Sequence, residues 1–173
     1  LKNIDQSKFC ASLLNVKDLK IELIKEDTVV FIAVHGLGGE DGETQKLLAD
    51  NGIKFTGSGE DSAKLCWDKI SSKALMKKNK IPTPPYKIIR KNKKPDLKNE
   101  FFLSRENFFV KPNSNGSSFG VSKVTGFKQL DQAIKEARKF SEDVIIEEAY
   151  NTAEYTVGIL KGEALEPLEI IAN

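Results

Sequence analysis

A loop rich in small residues carries the first chemical signal of this sequence. The segment Gly116–Gly120 holds two glycines and two serines within five positions, and it closely follows an apolar run that ends in Lys111. Backbone N–H groups and serine hydroxyls of such a loop can bind phosphate oxygens, and a nearby ammonium group would neutralise their charge. A plain hairpin loop has the same composition, and the Gly-Lys-Ser/Thr sequence of a P-loop does not follow.

Further candidates for nucleotide binding lie on both sides of this loop. Lys69 could offer a second ammonium group to phosphates, although composition alone favours a solvated surface lysine. The strand end after Ile145–Ile146 could present backbone N–H and C=O groups to an adenine edge; its residues are Glu147, Glu148, Ala149 and Tyr150. Glu154 could accept hydrogen bonds from ribose hydroxyls. A strand that leads into a solvated acidic turn is the alternative for this segment.

The single histidine, His35, stands between the apolar run Thr28–Val34 and a glycine-dense turn. Ligand sites in α/β sheets lie beyond the carboxyl ends of the strands, which favours a functional role at this position. A structural role for a lone histidine is the alternative. The adjacent Glu40 and Asp41 could act as carboxylates at a helix amino terminus instead of in catalysis.

The elements that must position these residues alternate between strands and helices. Thr28–Val34 is a continuous β-branched run, typical of a strand buried on both faces of a parallel sheet. A helix over 43–51, with Leu47 and Leu48 facing inward and Gly52 ending it, and a strand over 53–56 complete a βαβ unit. The remaining pattern predicts helices over 61–66 (capped by Asp61), 67–79 and 127–140, and strands over 1–6, 86–90, 107–112, 121–124, 143–148, 155–160 and 169–171.

The composition favours a soluble globular protein and gives no sign of a nucleic-acid or membrane partner. The 173 residues are 39% hydrophobic and 30% charged, as in a soluble globular protein of one domain or two small ones. A net charge of +2 and a lysine cluster at 91–94 without interleaved aromatic residues indicate no nucleic-acid partner. No apolar run reaches about 18 residues and no signal-peptide pattern is present, so no membrane partner is predicted. Cys10 and Cys66 lack metal-ligand spacing and are interpreted as free thiols in the cytoplasm.

In their order along the chain, these motifs resemble those of D-alanine–D-alanine ligases, members of the ATP-grasp superfamily. The resemblance rests on His35-Gly36 with Gly39-Glu40-Asp41-Gly42, Phe55-Thr56-Gly57-Ser58-Gly59, Asp68-Lys69, Ile81-Pro82-Thr83-Pro84, Val110-Lys111-Pro112, Gly116-Ser117-Ser118-Phe119-Gly120-Val121 and Glu154-Tyr155-Thr156-Val157. Each motif is weak alone, but the ordered set is specific. The His-Gly…Gly-Glu-Asp-Gly and Thr-Gly-Ser-Gly segments distinguish it from other ATP-grasp enzymes.

The resemblance implies an α/β fold in three parts. A Rossmann-like N-terminal (pre-ATP-grasp) domain would cover residues 1–65, the central α+β ATP-grasp domain 66–154, and the start of the C-terminal ATP-grasp domain 155–173. The family's N-terminal glycine-rich segment and the C-terminal half of its ATP-grasp fold have no counterpart in this sequence. We therefore expect the 173-residue chain alone to be inactive. The family also implies a cytoplasmic homodimer.

The family's reaction is the ATP-dependent ligation of two D-alanines through an acylphosphate, for peptidoglycan precursor synthesis. The resemblance assigns ATP binding to Lys69, Lys111, Ser117, Ser118, Glu147, Glu148, Ala149, Tyr150 and Glu154. It places His35 beside the first D-alanine and makes Ser117 and His35 the candidate catalytic residues. It implies Mg²⁺ or Mn²⁺, with metal ligands outside this chain. A ligase of the D-alanyl depsipeptide type and a non-catalytic nucleotide-binding remnant are the alternatives.

Overall fold

A computed structural model of the chain describes residues 20, 21, 24 and 27–171. The fold is a mixture of α-helices and β-strands. It begins with β1 (Val29–Val30), α1 (Glu43–Asp50) and β2 (Lys54–Phe55). Because β1 and β2 pair in parallel with α1 between them, the predicted βαβ unit is confirmed. The strand predicted over residues 1–6 lies outside the described residues.

The first strand is shorter and more exposed than the sequence predicts. The expected strand ran from Thr28 to Val34 with both faces buried, but only Val29–Val30 form one, and Val29 and Phe31 are 58% and 76% exposed. Within the described part of the chain, β1 pairs with β2 alone. A β-branched run favours extended backbone, but its burial depends on neighbouring strands and layers that the run itself does not specify.

Helix α1 ends where the sequence predicts. Asn51 is its C-cap, and Gly52 follows with a φ of 68°, a left-handed conformation that glycine adopts without a steric penalty. Of the two leucines predicted to face inward, Leu48 is fully buried, but Leu47 is 42% exposed. Successive residues of a helix are about 100° apart around its axis, so the narrow contact face of α1 accommodates only one of them.

The next two helices meet at Asp68. Helix α2 spans Glu60–Trp67 and α3 spans Lys69–Lys78, so the helix predicted over 67–79 begins two residues later than expected. Asp68 has extended backbone angles and caps α3 by accepting a 2.7 Å hydrogen bond from the Ser71 N–H. The prediction that Asp61 caps the preceding helix is wrong: Gly59 occupies the N-cap position, and Asp61 lies in the first turn.

The centre of the fold is a four-stranded antiparallel sheet with strand order β3-β6-β4-β5. Its strands and the helices between them are β3 (Tyr86–Ile89), α4 (Glu100–Leu103), β4 (Asn107–Pro112), β5 (Ser122–Thr125), α5 (Leu130–Ala137) and β6 (Val144–Glu148). The predicted β4–β5 hairpin is confirmed by antiparallel pairing from Asn107–Thr125 to Val110–Ser122. Helix α4 was not predicted.

The hydrophobic core lies on one face of this sheet, beneath α4 and α5. Its buried residues are Ile89, Phe101, Phe102, Phe108, Val110, Val124, Leu130, Ala133, Ile134, Ala137, Val144 and Ile146. Burying each large apolar side chain stabilises the fold by about 1.5–3 kcal/mol. Helix α5 is shorter than the predicted 127–140, and Phe127 and Phe140 flank it with 37% and 47% of their surface exposed.

The last part of the described chain is a pair of short antiparallel ribbons. Strand β7 (Glu154–Thr156) pairs with β10 (Leu168–Ile170), and β8 (Ile159–Leu160) pairs with β9 (Glu163–Ala164). The single strand predicted over 155–160 is therefore divided into two, with Val157 and Gly158 between them. Every residue from 151 to 171 is exposed. Across the described ranges, no helix has the length and apolar character needed to span a bilayer.

Candidate functional site

The sheet face opposite the core carries the charged residues of the candidate site. Side chains alternate between faces along a strand, and residues paired across strands share a face. Glu147 pairs with Tyr86 on one side and Phe109 on the other, and Lys111 pairs with Ile145. These residues therefore project from one face, while their sequence neighbours point into the core. Helix α3 adds Lys69 and Lys73 from above this face.

Glu147 is the centre of a charge network. It is only 6% exposed, yet its Oε2 accepts a 2.7 Å hydrogen bond from Lys111 Nζ, and its Oε1 lies 3.0 Å from Lys73 Nζ. Burial raises the pKa of Glu147, but the hydrogen bonds and positive charges of Lys111 and Lys73 outweigh burial and hold that pKa below its ordinary value. Glu147 is therefore a buried, ionised carboxylate with a lysine on each oxygen.

Lys69 lies one helical turn from Lys73 on α3, above the sheet face that carries Lys111. Its Nζ donates a 2.8 Å hydrogen bond to the backbone oxygen of Asn115, at the start of the small-residue loop. Burial, followed by the positive charge of Lys111, lowers the pKa of Lys69. Two lysines separated by 42 positions in sequence thus face the same region beside the loop. An anion placed between them would relieve their repulsion.

Asn113 fixes the amino terminus of α3 to the segment that follows β4. Its side chain donates a 2.6 Å hydrogen bond to Asp68 Oδ2 and accepts a 2.9 Å bond from the Ile70 N–H, while its backbone oxygen accepts one from the Lys69 N–H. Asn113 is 8% exposed, and the sequence analysis did not single it out. Its only sequence signal is its position directly after the strand-ending Lys111-Pro112 pair.

The loop itself is held in an uncommon backbone conformation. Ser117 and Ser118 are both exposed and have φ values of 52° and 59°, which only a few per cent of residues other than glycine adopt. The Phe119 ring packs against Phe140 with centroids 6.2 Å apart, and a Cβ at Gly120 would lie 2.5 Å from the Phe140 ring. Gly120 therefore permits the close approach that keeps the loop against Phe140.

His35 reaches the same region through Glu40. His35 Nδ1 lies 3.3 Å from Glu40 Oε1, and the Gly36 N–H donates a 2.9 Å bond to Oε2. Glu40 in turn lies against Gly116 of the loop. Asp41 has a different role: it is 7% exposed and accepts hydrogen bonds from the N–H groups of Gly38 and Glu43. Asp41 therefore has the structural role at a helix start that was the alternative for both carboxylates, and Glu40 does not.

The structure does not bring the other predicted carboxylates to the lysine cluster. Glu148 projects from the core face, where its carboxylate bonds to Arg105 at 2.7 Å and to the Tyr150 hydroxyl at 3.1 Å. The Arg105 hydrogen bond lowers the pKa of Glu148. Ala149 donates its N–H to Asn107, and Glu154 lies in the exposed ribbon β7. Of the predicted adenine edge, only Glu147 contacts the predicted phosphate ligands.

Comparison with known proteins decides the family. The family model described as "D-ala D-ala ligase C-terminus" matches residues 75–173. The chain belongs to the D-alanine–D-alanine ligase family. The D-alanine–D-alanine ligase of Methylacidiphilum infernorum is 38% identical to it over 159 residues, which cover 92% of this chain and 50% of that ligase. The corresponding ligase of Pediococcus pentosaceus is 33% identical over 155 residues, 88% of this chain and 43% of that protein.

Solved ligases of this family have the same arrangement of elements. The D-alanine–D-alanine ligase of Bacillus anthracis complexed with ATP matches with a TM-score of 0.82 and 29% identity, covering 98% of this chain and 58% of that one. The D-alanyl-alanine synthetase A of Vibrio cholerae matches with a TM-score of 0.75 and 33% identity, covering 83% and 46%. The resemblance found in the sequence is confirmed. The chain spans about half the length of the curated relatives it matches.

Proposed function

We propose that the protein containing this chain joins two D-alanines into D-alanyl-D-alanine in an ATP-dependent reaction of peptidoglycan precursor synthesis. One observation carries the proposal: in a chain of this ligase family, Lys69 bonds to the start of the small-residue loop, and Lys111 shares Glu147 with Lys73, one helical turn from Lys69. The first step of the reaction transfers a phosphoryl group, which requires charge neutralisation and alignment more than covalent help from the protein. Ammonium groups in that position supply the neutralisation.

The reaction proceeds in two steps. A carboxylate oxygen of the first D-alanine attacks the γ-phosphorus of ATP, the bond to the β-phosphate oxygen breaks, and ADP leaves an acylphosphate behind. The amine nitrogen of the second D-alanine then attacks the acyl carbon. Phosphate leaves with the electrons of the C–O bond, and the amine loses a proton to solvent. Lys69 and Lys111 bind the phosphates in the first step and stabilise the negative charge that moves to ADP.

Ser117 and Ser118 belong to the flap over this chemistry. Their hydroxyls and the neighbouring backbone N–H groups contact the triphosphate, and Ser117 lies beside the reacting groups. Closure of the loop excludes water, which would otherwise hydrolyse the acylphosphate. The exposure of both serines and the glycines on either side support a loop that moves onto its ligand. His35, positioned by Glu40 next to Gly116, binds the first D-alanine.

The adenosine part of ATP lies at the end of β6. The segment Glu148, Ala149 and Tyr150 meets the adenine edge through backbone groups other than the N–H groups of Glu148 and Ala149, which bond to Pro85 and Asn107. Glu147 joins the base and phosphate ends of the site, and Glu154 accepts hydrogen bonds from the ribose hydroxyls. The central ATP-grasp domain, residues 66–154, contains all of these groups, with the Rossmann-like domain over 1–65 and the C-terminal domain from 155. The protein acts in the cytoplasm as a homodimer.

The family also uses Mg²⁺ with ATP. Within the described ranges of this chain, no three side chains of His, Cys, Asp or Glu lie together as a possible metal site. The metal ligands that the resemblance implies lie outside this chain, and none of the residues described above is assigned to the metal.

A coupled assay of ADP release by the complete gene product tests the proposal. We expect release that depends on D-alanine, with one ADP formed per D-alanyl-D-alanine. Addition of D-lactate with limiting D-alanine tests the depsipeptide alternative, since that enzyme would form an ester with D-lactate. ATP binding without D-alanine-dependent ADP release would contradict ligation and support the nucleotide-binding remnant.

A further inference from the structure

Lys73 is a buried lysine that the sequence analysis did not single out. Its side chain is 8% exposed, and lysines are almost never this buried unless they are paired. Its Nζ lies 3.0 Å from Glu147 Oε1 and 4.8 Å from the centroid of the Tyr86 ring, and it donates a 2.6 Å hydrogen bond to Thr83 Oγ1. These three contacts hold the ammonium group in place beside Glu147.

Lys73 and Lys111 bind different oxygens of the same carboxylate. Lys73 is on Oε1, on the buried side, and Lys111 is on Oε2, with its own side chain 26% exposed. Lys73, Glu147 and Lys111 thus form a row of three charged groups, with Lys73 at the buried end and Lys111 at the exposed end. Lys111 also lies 5.3 Å from the centroid of the Phe109 ring, which bounds it on the sheet face.

We propose that Lys73 is a positioning residue of the nucleotide site: through Glu147, it fixes the ammonium group of Lys111 where that group meets the phosphates of ATP. This inference rests on the proposed function, because it takes ATP phosphates as the ligand of Lys111. Lys73 itself does not touch the nucleotide.

The charge balance explains why the inner lysine is needed. One buried carboxylate faces two ammonium groups, so this trio carries a net positive charge toward an incoming anion. Without Lys73, Lys111 becomes the one lysine of the described residues that still contacts the Glu147 carboxylate. A buried carboxylate with one partner holds that partner tightly, since separation would leave an uncompensated charge in the interior. Lys111 would then neutralise Glu147 instead of a phosphate.

Lys73→Met in the complete gene product tests this role, because methionine keeps an unbranched apolar side chain and removes the charge. We expect ATP affinity, measured by calorimetry, to fall about tenfold. We expect adenosine affinity to stay within about twofold of the parent, since adenosine lacks the phosphates that Lys111 binds. The matched control is Thr83→Val, which removes the hydroxyl partner of Lys73 but leaves the Lys73–Glu147 pair. An equal loss for ATP and adenosine, or no loss for ATP, would overturn the inference.

A double-mutant cycle keeps the test decisive if a buried unpaired charge impairs folding. In Glu147→Gln, the carboxylate through which Lys73 acts is neutral. Adding Lys73→Met to that background should change ATP affinity by less than about twofold. The same tenfold loss in both backgrounds would mean that Lys73 does not act through Glu147, and would refute the positioning role.

A measurement without nucleotide separates this inference from the proposed function. The side-chain carboxyl carbon of Glu147 is followed by NMR as pH is lowered, in the parent and in Lys73→Met. Loss of one of its two lysine partners should raise the pKa of Glu147. An unchanged titration would overturn the link between Lys73 and Glu147. A parent that bound no ATP would defeat the proposed function, whereas the titration would still decide that link.

Discussion

Glu40 and Gly116 lie in direct contact: a Cβ added at Gly116 would stand 2.6 Å from Glu40 Oε2 and 3.3 Å from Trp67 Cζ3. The same carboxylate binds His35 and the Gly36 N–H. The small-residue loop and the histidine turn, far apart in sequence, therefore share one carboxylate. A displacement of the loop at Gly116 would therefore shift the carboxylate that binds His35.

Gly116→Ala should displace Glu40 and, with it, His35. Because the far end of a flexible side chain can shift, we expect the fold to persist while kcat/KM for D-alanine falls about tenfold. The measurement is steady-state ligase kinetics together with thermal unfolding. Gly59→Ala is the matched control, since a Cβ there has no heavy atom within 4 Å. Unchanged kinetics with D-alanine would show that the Glu40 contact is irrelevant to the substrate.

Lys111→Ala should weaken ATP binding severely. A hydrogen bond to a charged group contributes about 1.5–3 kcal/mol, which corresponds to about 10- to 100-fold in affinity. Glu147 retains Lys73, so the variant should remain folded. Calorimetry with ATP measures the loss, and Lys139→Ala, which removes a surface lysine paired with Glu136, is the control. Nucleotide affinity equal to that of the parent would contradict the phosphate role of Lys111.

ATP binding should be accompanied by proton uptake at alkaline pH. Burial and Lys111 lower the pKa of Lys69 below 10.5, and a bound phosphate would raise it again. Well below the lowered pKa, Lys69 carries its proton in both states and no uptake occurs. Uptake should grow as pH rises toward that pKa. Calorimetry in two buffers of different ionisation enthalpy measures it, and the uptake should disappear in Lys69→Met; its persistence there would assign it to another group.

Glu147 should contribute to the loss of stability in acid. Its folded pKa lies below 4.5, so the folded state binds protons less readily than the unfolded state. Its contribution to the free energy of unfolding is therefore present above the ordinary glutamate pKa and is lost as pH falls through the folded value. Thermal unfolding between neutral and acidic pH should show a flatter acid limb in Glu147→Gln than in the parent. Parallel acid limbs would place the sensitivity elsewhere.

Local patterns predicted the elements whose partners are close in sequence. The strand–loop–strand around Gly116–Gly120 and the helix ended by Gly52 depend on neighbouring residues, and both predictions are confirmed. Helix α4 was missed because it is one short turn: its signals are the Asn99 cap, which accepts from the Phe101 N–H, and the buried Phe101 and Phe102. A single turn is too short for a periodic pattern.

The candidate site was only partly predictable because the charged residues that pair within it are far apart in sequence. Lysines dominate the exposed side of α3, and nothing local distinguishes Lys73 from Lys77 or Lys78. Its burial depends on Glu147, 74 positions later. Lys111 was singled out by its place at the end of an apolar strand just before the loop, and Lys69 became more than a surface lysine only through the family motifs. The ATP- and substrate-binding roles of the predicted residues remain predictions.

The alternation of Glu147 and its neighbours on β6 has a consequence for folding. Sliding β6 by one position against β4 would drive the Glu147 carboxylate into the phenylalanine-rich interior and leave Ile146 opposite Lys111. A misaligned sheet would thus forfeit both lysine pairings and bury an uncompensated anion. The charged residues proposed to bind the nucleotide therefore also specify the register of the central strands.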